Sequence, residues 1–161
     1  MFSKISSTNA DTFAPNDNVT REQFVKMLVV AFGLVDQGAT SDFDDVNKDE
    51  WYYQYISSAH KYGLVNGIDS DNFGVGRDIS RQEMVTLAHR TATYAGVILA
   101  EVSEPAIFDD AQEIAQYAMD SVTAMQQASI IQGVGDNKFA PHSTATRAMA
   151  AKVIYELLQL R

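Results

Sequence analysis

The chain repeats itself, and that repetition limits what it can fold into more than any other feature. Three stretches align without gaps: TFAPNDNVTREQFVKML from Thr12, NFGVGRDISRQEMVTLA from Asn72 and KFAPHSTATRAMAAKVI from Lys138. In each, a Phe (Phe13, Phe73, Phe139) is followed seven residues later by Thr20, Ser80 or Thr146. An Arg comes next every time: Arg21, Arg81, Arg147. A second element occurs twice, FDDVNKDEWYYQYISSAHKYGLVNG from Phe43 and FDDAQEIAQYAMDSVTAMQQASIIQG from Phe108. One inserted residue aligns Trp51 with Tyr117, Ile56 with Val122 and Gly67 with Gly133. Only twelve residues precede Phe13, too few for this element, so the first unit reads as truncated at its front. The expected units are 1–36, 37–98 and 99–161, with Gly96–Pro105 as a linker-like connection.

Each Thr/Ser-Arg opens a helix. Phe24, Met27, Leu28 and Ala31 fall at helical spacing, as do Met84, Leu87, Ala88 and Thr91, and Val153, Ile154, Leu157 and Leu158. Thr20, Ser80 and Thr146 stand at the N-cap. Gln23 and Glu83, three residues on, would complete capping boxes, whereas Met149 leaves the third incomplete. A further helix is expected with Trp51, Tyr55, Ile56, Ala59 and Tyr62 near one face, ended by Gly63 or Gly67, and its second copy over about 113–128. Between helices lie the turn-rich GIDSDNFGVG and GVGDNKFAP, in which the Phe plugs the core. No sustained alternation predicts a sheet. The fold class is all-α, built of tandem helix–loop–helix repeats.

The Arg after the N-cap is the most informative residue. A cation at a helix N-terminus opposes the macrodipole by about 0.3–1 kcal/mol. Yet it recurs three times in a chain with 21 acidic and 12 basic residues. Two readings stand. A guanidinium fork at a helix N-terminus is a receptor for a carboxylate or phosphate, or it forms an internal ion pair with a nearby acid. The paired Asp44-Asp45 and Asp109-Asp110 cap the following helix or bond sugar hydroxyls. The single Trp51 is core, or it stacks on a sugar ring at a groove edge, with Tyr117 as its counterpart.

Other chemistries find little support. A net charge of −9 with no basic run repels nucleic acid and disfavours an anionic membrane surface. There is no cysteine, and no apolar run reaches the ~20 residues of a membrane span. MFSKISSTNA lacks the features of a signal peptide, so the chain is expected to be a fragment of a longer exported protein. Asp69-Ser70-Asp71 fails as a calcium loop, because Phe73 stands at its fifth position and Ser80 where a bidentate Glu belongs. His60, His89 and His142 show no metal-ligand spacing. The repeated carboxylates offer no distinct acid and nucleophile. No catalytic residue, metal or cofactor is expected.

Taken together, these motifs resemble the S-layer homology repeat: Phe-x-Asp, an aromatic residue, a helix, Gly-Ile-Ile-x-Gly, a Phe-containing turn, then Thr-Arg-Ala-Glu opening a helix. The second unit supplies Phe43, Asp45, Trp51, Gly63-Leu64-Val65-Asn66-Gly67, Phe73 and Ser80-Arg81-Gln82-Glu83. The third supplies Phe108, Asp110, Tyr117, Ile130-Ile131-Gln132-Gly133, Phe139 and Thr146-Arg147-Ala148-Met149; the first supplies Phe13-Ala14-Pro15 and Thr20-Arg21-Glu22-Gln23. The resemblance implies a pseudo-threefold, three-prong arrangement, here incomplete, to be closed by another part of the parent protein or by a homo-oligomer. It implies non-covalent anchoring at the bacterial cell surface, on an anionic, pyruvylated wall polysaccharide, with peptidoglycan as a further wall partner. A protein–protein scaffold of the envelope without glycan binding is the alternative. The implied ligand-binding residues are Arg21, Arg81, Arg147, Asp45, Asp110, Trp51, Gly67 and Gly133.

Overall fold

The computed structural model describes residues 13–161. Among them are five α-helices, α1 (Arg21–Ala31), α2 (Tyr53–Lys61), α3 (Arg81–Tyr94), α4 (Gln116–Gln127) and α5 (Arg147–Gln159), and no strand. A single 3-10 turn, Ala111–Glu113, precedes α4. The all-α expectation holds.

The long helices start where the motif placed them, directly after Thr20, Ser80 and Thr146. Their caps differ. Glu83 Oε2 accepts from Ser80 N (2.8 Å), while Ser80 Oγ accepts from Glu83 N, which closes a full box. In α1 only the return arm forms: Gln23 Oε1 accepts from Thr20 N, and Thr20 Oγ1 is buried without a partner. In α5, Thr146 Oγ1 accepts from Met149 N and nothing returns. At the other end, α2 stops on Gly63 (φ 69°), and Leu64 N donates back to Ala59 O. Ser129 (φ 59°) plays the same part after α4, with Ile130 N on Met125 O. A left-handed residue followed by an apolar one ties off the free carbonyls and plugs the core.

Trp51 departs from the expectation. It lies in the turn before α2 and not on the helix. Tyr52 is the N-cap, with no side-chain cap, so the first turn holds no acceptor that would pull the helix further back. Likewise α4 begins at Gln116, three residues later than expected, because Ala115 adopts extended backbone.

Helices α1, α3 and α5 pack against one another, α2 packs on α1 and α4 on α3. Each outer helix thus covers the long helix of the preceding unit. One core runs through all of them, with Phe24, Leu28, Phe73, Met84, Ala88, Phe139, Ile154 and Leu157 inside it. The segments leading into the three long helices are joined in a closed cycle: Val19 N donates to Ala145 O, Ala145 N to Ile79 O, and Ile79 N to Val19 O. Flanking bonds repeat the cycle, with Arg21 N on Arg77 O, Arg81 N on Ser143 O and Arg147 N on Asp17 O. These pairings are isolated bridges and not a sheet.

Candidate functional site

The three arginines do one job in common. Arg21 Nε donates to Phe73 O (3.0 Å), Arg81 Nε to Phe139 O (2.9 Å) and Arg147 Nε to Phe13 O (2.8 Å). Each guanidinium lies over the ring of the same Phe, at 5.0, 5.0 and 5.6 Å from its centroid, a cation–π arrangement. Their unfavourable place at a helix N-terminus therefore has a structural reason, since each pins a turn to the next helix.

The aspartates grip those turns from the other side. Asp45 accepts from Phe73 N (2.7 Å), Gly74 N (2.7 Å) and Val75 N (2.8 Å). Asp110 accepts from Phe139 N (2.9 Å) and Ala140 N (2.8 Å). Burial pushes both carboxyls up, but the backbone donors outweigh it and hold both below the usual carboxylate range. Neither sequence reading of the Asp pairs matches this. Asp45 and Asp110 cap a distant turn and not the following helix, and their oxygens are already engaged. Asp44 and Asp109 contribute through their backbone, N–H to Asp71 O and to Asn137 O.

The glycines complete the clamp. Gly67 has φ 79°, and a Cβ there would stand 2.5 Å from Asn72 O and 2.7 Å from the Phe43 ring. At Gly133 a Cβ would meet Lys138 O at 2.8 Å and the Phe108 ring at 3.2 Å. Both let the Phe of Phe-Asp-Asp slide beneath the hairpin and touch the Phe of the turn: ring centroids are 6.1 Å apart for Phe43–Phe73 and 5.7 Å for Phe108–Phe139.

The structure thus brings the expected residues together as two complete clusters, Arg21–Asp45–Gly67 around Phe73 and Arg81–Asp110–Gly133 around Phe139. Arg147 meets only Phe13. All three arginines are nearly covered, at 4, 6 and 6% exposure. Only Arg21 has an acidic partner, Glu83 Oε1 at 2.9 Å. Arg81 uses its remaining nitrogens on Gln132 O (3.1 Å) and Met149 Sδ (3.7 Å), both neutral. Among the described residues, Arg147 Nη1 and Nη2 have no hydrogen-bond partner and are not sealed from solvent. The ion-pair reading therefore holds for Arg21 alone.

Trp51 is half-exposed, with Lys26 Nζ 5.1 Å above its ring and 5.0 Å above that of Tyr55. It is not core. Tyr117 is half-exposed too. Burial and then Glu83 push its hydroxyl up, while Arg21 pulls it down, so it lies within electrostatic reach of the Arg21–Glu83 pair. Sequence reasoning missed Glu83 and Lys26 as neighbours of these groups. Glu83 carried a signal, being the capping residue beside Arg81. Lys26, on the outer side of α1, carried none. A recess of about 250 Å³ between Leu99 and Glu101 of the linker and Asp120 and Gln127 of α4 contains none of the expected residues. No helix of the described residues is long and apolar enough to cross a membrane.

Known proteins share this design. The S-layer homology domain family matches residues 3–25, 42–85 and 107–151. An endoglucanase of Bacillus sp. (strain KSM-635) is 32% identical over 154 residues, covering 96% of this chain and 16% of the relative. An amylopullulanase of Thermoanaerobacterium thermosulfurigenes is 33% identical over 147 residues, 91% of this chain and 8% of the relative. The surface-layer 125 kDa protein of Lysinibacillus sphaericus is 27% identical over 133 residues, 82% of this chain and 11% of the relative. The chain therefore corresponds to a small part of each of these relatives, including those with enzyme names. With its family motifs in three successive segments, the chain belongs to the S-layer homology domain family.

Proposed function

We propose that this chain is a non-catalytic module that holds an exported protein on the bacterial cell wall or in the S-layer by gripping an anionic wall polysaccharide. Family membership and the surface-layer relative support the location. Three units around the closed cycle of Val19, Ile79 and Ala145 bonds support the pseudo-threefold, three-prong arrangement, one prong short. The observation that carries the ligand reading is the position of the arginines. Three guanidiniums stand at helix N-termini with Nε turned inward on a Phe carbonyl, and Arg147 keeps both outer nitrogens available. A carboxylate such as a pyruvate ketal meets fork and helix dipole together there. The half-exposed rings of Trp51 and Tyr117 offer apolar faces to a sugar. The scaffold reading draws on a different observation, that Asp45, Asp110, Gly67 and Gly133 are all engaged inside the fold.

The test is co-sedimentation of the protein with purified wall polysaccharide, native and chemically stripped of pyruvate. Arg147→Lys keeps the charge and removes the fork; Trp51→Ala removes an exposed ring. Each is expected to weaken retention about tenfold or more, with the thermal midpoint little changed, and stripping is expected to abolish it. Full retention by both variants and on the stripped polymer would sink the reading.

A further inference from the structure

One stripe is buried on two long helices and bare on the third. Counting from the opening Arg, the residues one, four and eight positions on are Glu22, Val25 and Val29 in α1, and Gln82, Val85 and His89 in α3. On α1 all three are buried beneath α2. On α3, Gln82 and Val85 are buried, Gln82 Oε1 accepts from Ala115 N, and His89 Nδ1 lies 3.0 Å from Ser121 Oγ of α4. The same positions of α5 are Ala148, Ala151 and Tyr155; Ala148 is exposed, Ala151 half-buried and Tyr155 57% exposed.

The turn beside that face is bare as well. Phe13 is 47% exposed, whereas Phe73 and Phe139 are fully buried. Ala14 is left-handed (φ 45°), like Gly74 and Ala140, whose N–H groups lie on Asp45 and Asp110. Among the described residues no carboxylate takes that place at Ala14.

We infer that the face formed by α5 and the Phe13 turn is the seat of one more Phe-x-Asp helix element, of the same chemistry as residues 43–67. Its Phe would cover Phe13, its Asp would accept from the Phe13 and Ala14 N–H groups, and its helix would lie on Ala148, Ala151 and Tyr155. Two internal copies of this interface define the fit. A second copy of this chain is not the occupant, because both of its Phe-x-Asp elements already sit on its own α1 and α3. Residues 1–12 are not the occupant either, because no Phe-x-Asp occurs among them.

The test places residues 42–72 directly ahead of Phe13, in place of residues 1–12. The added Phe then stands 30 residues before Phe13, as Phe43 does before Phe73. The thermal midpoint is expected to rise by at least about 5 °C, with slower amide exchange along α5. Asp45→Ala in the added copy is expected to remove most of that rise. Ala151→Arg is expected to remove it in the extended chain and to leave the original chain's midpoint unchanged. An unchanged midpoint overturns the inference, as does a rise that survives both substitutions. So does sedimentation of the original chain as a dimer that Ala151→Arg splits, which would make a second copy the occupant. None of these readouts depends on glycan binding.

Discussion

Phe13-Ala14-Pro15 and Phe139-Ala140-Pro141 are one tripeptide in two surroundings. Both alanines are left-handed, both Phe carbonyls accept from an Arg Nε, and both Pro carbonyls accept a backbone N–H, from Ala148 and from Gln82. The turn's shape thus follows from its own residues and the Arg behind it. Its burial does not. Around Phe139, Asp110 and the Phe108 ring close the far side; around Phe13 neither exists, and the ring is half in solvent. The clamp is a composite, in which one half sets conformation and the other excludes water.

That difference can be broken open by mutation. The largest effect is expected from the rings: Phe139→Ala or Phe73→Ala should cost about 3–5 kcal/mol in urea unfolding, because each leaves a sealed cavity. Phe13→Ala should cost less than about 1 kcal/mol, its site being open to water. Equal losses at Phe13 and Phe139 would mean that the Arg side alone makes the clamp.

Next come the carboxylates. Asp45→Ala strands three backbone N–H groups and Asp110→Ala two, at about 1–3 kcal/mol for each group that stays dry. Asp45→Ala should therefore be the more damaging, and the Phe13 turn has no equivalent residue to lose. The same pair sets the acid limit. Their folded pKa values lie below the unfolded value of about 3.9, so their contribution is complete above that pH. It is lost as pH falls through the folded values. Asp45→Asn should flatten the acid limb of a stability-against-pH curve, and an unaltered limb would show that other groups set it.

The smallest effect sharpens the contrast between α3 and α5. Burial lowers the pKa of His89 against Ser121, Asp120 raises it and Arg90 lowers it further. The unfolded chain therefore takes up a proton first, and stability begins to fall as pH drops below about 6.5. His89→Gln should remove that slope over the pH range just below. Tyr155, at the same position of α5, has no such partner, and Tyr155→Gln should leave the slope intact.

Much of this was legible in the residues. Helix starts, the full box at Ser80 and the grouping of Arg with a Phe turn all follow from local spacing, because caps and turns involve neighbours in sequence. The role of Asp45 was not legible. Its partners lie 28 to 30 residues away, and a Phe-Asp-Asp run looks the same whether it caps a helix or a distant loop. The one available clue was spacing, since Asp45 to Phe73 and Asp110 to Phe139 are separated by 28 and 29 residues. Trp51 misled because an aromatic residue in helical phase with Tyr55 reads as helix, although no side chain there caps a turn. The outer-helix-on-preceding-helix packing was invisible, as neither partner's sequence names the other.

The cycle through Val19, Ile79 and Ala145 has a mechanical consequence. In an open solenoid each repeat touches only its neighbours, so tension can strip units from one end. Here the first and last units are stitched directly, with Asn18 bridged to Thr146 across the whole chain. A tug entering at Phe13 is passed at once to all three long helices, so the assembly should yield in a single rupture and not by sequential unravelling.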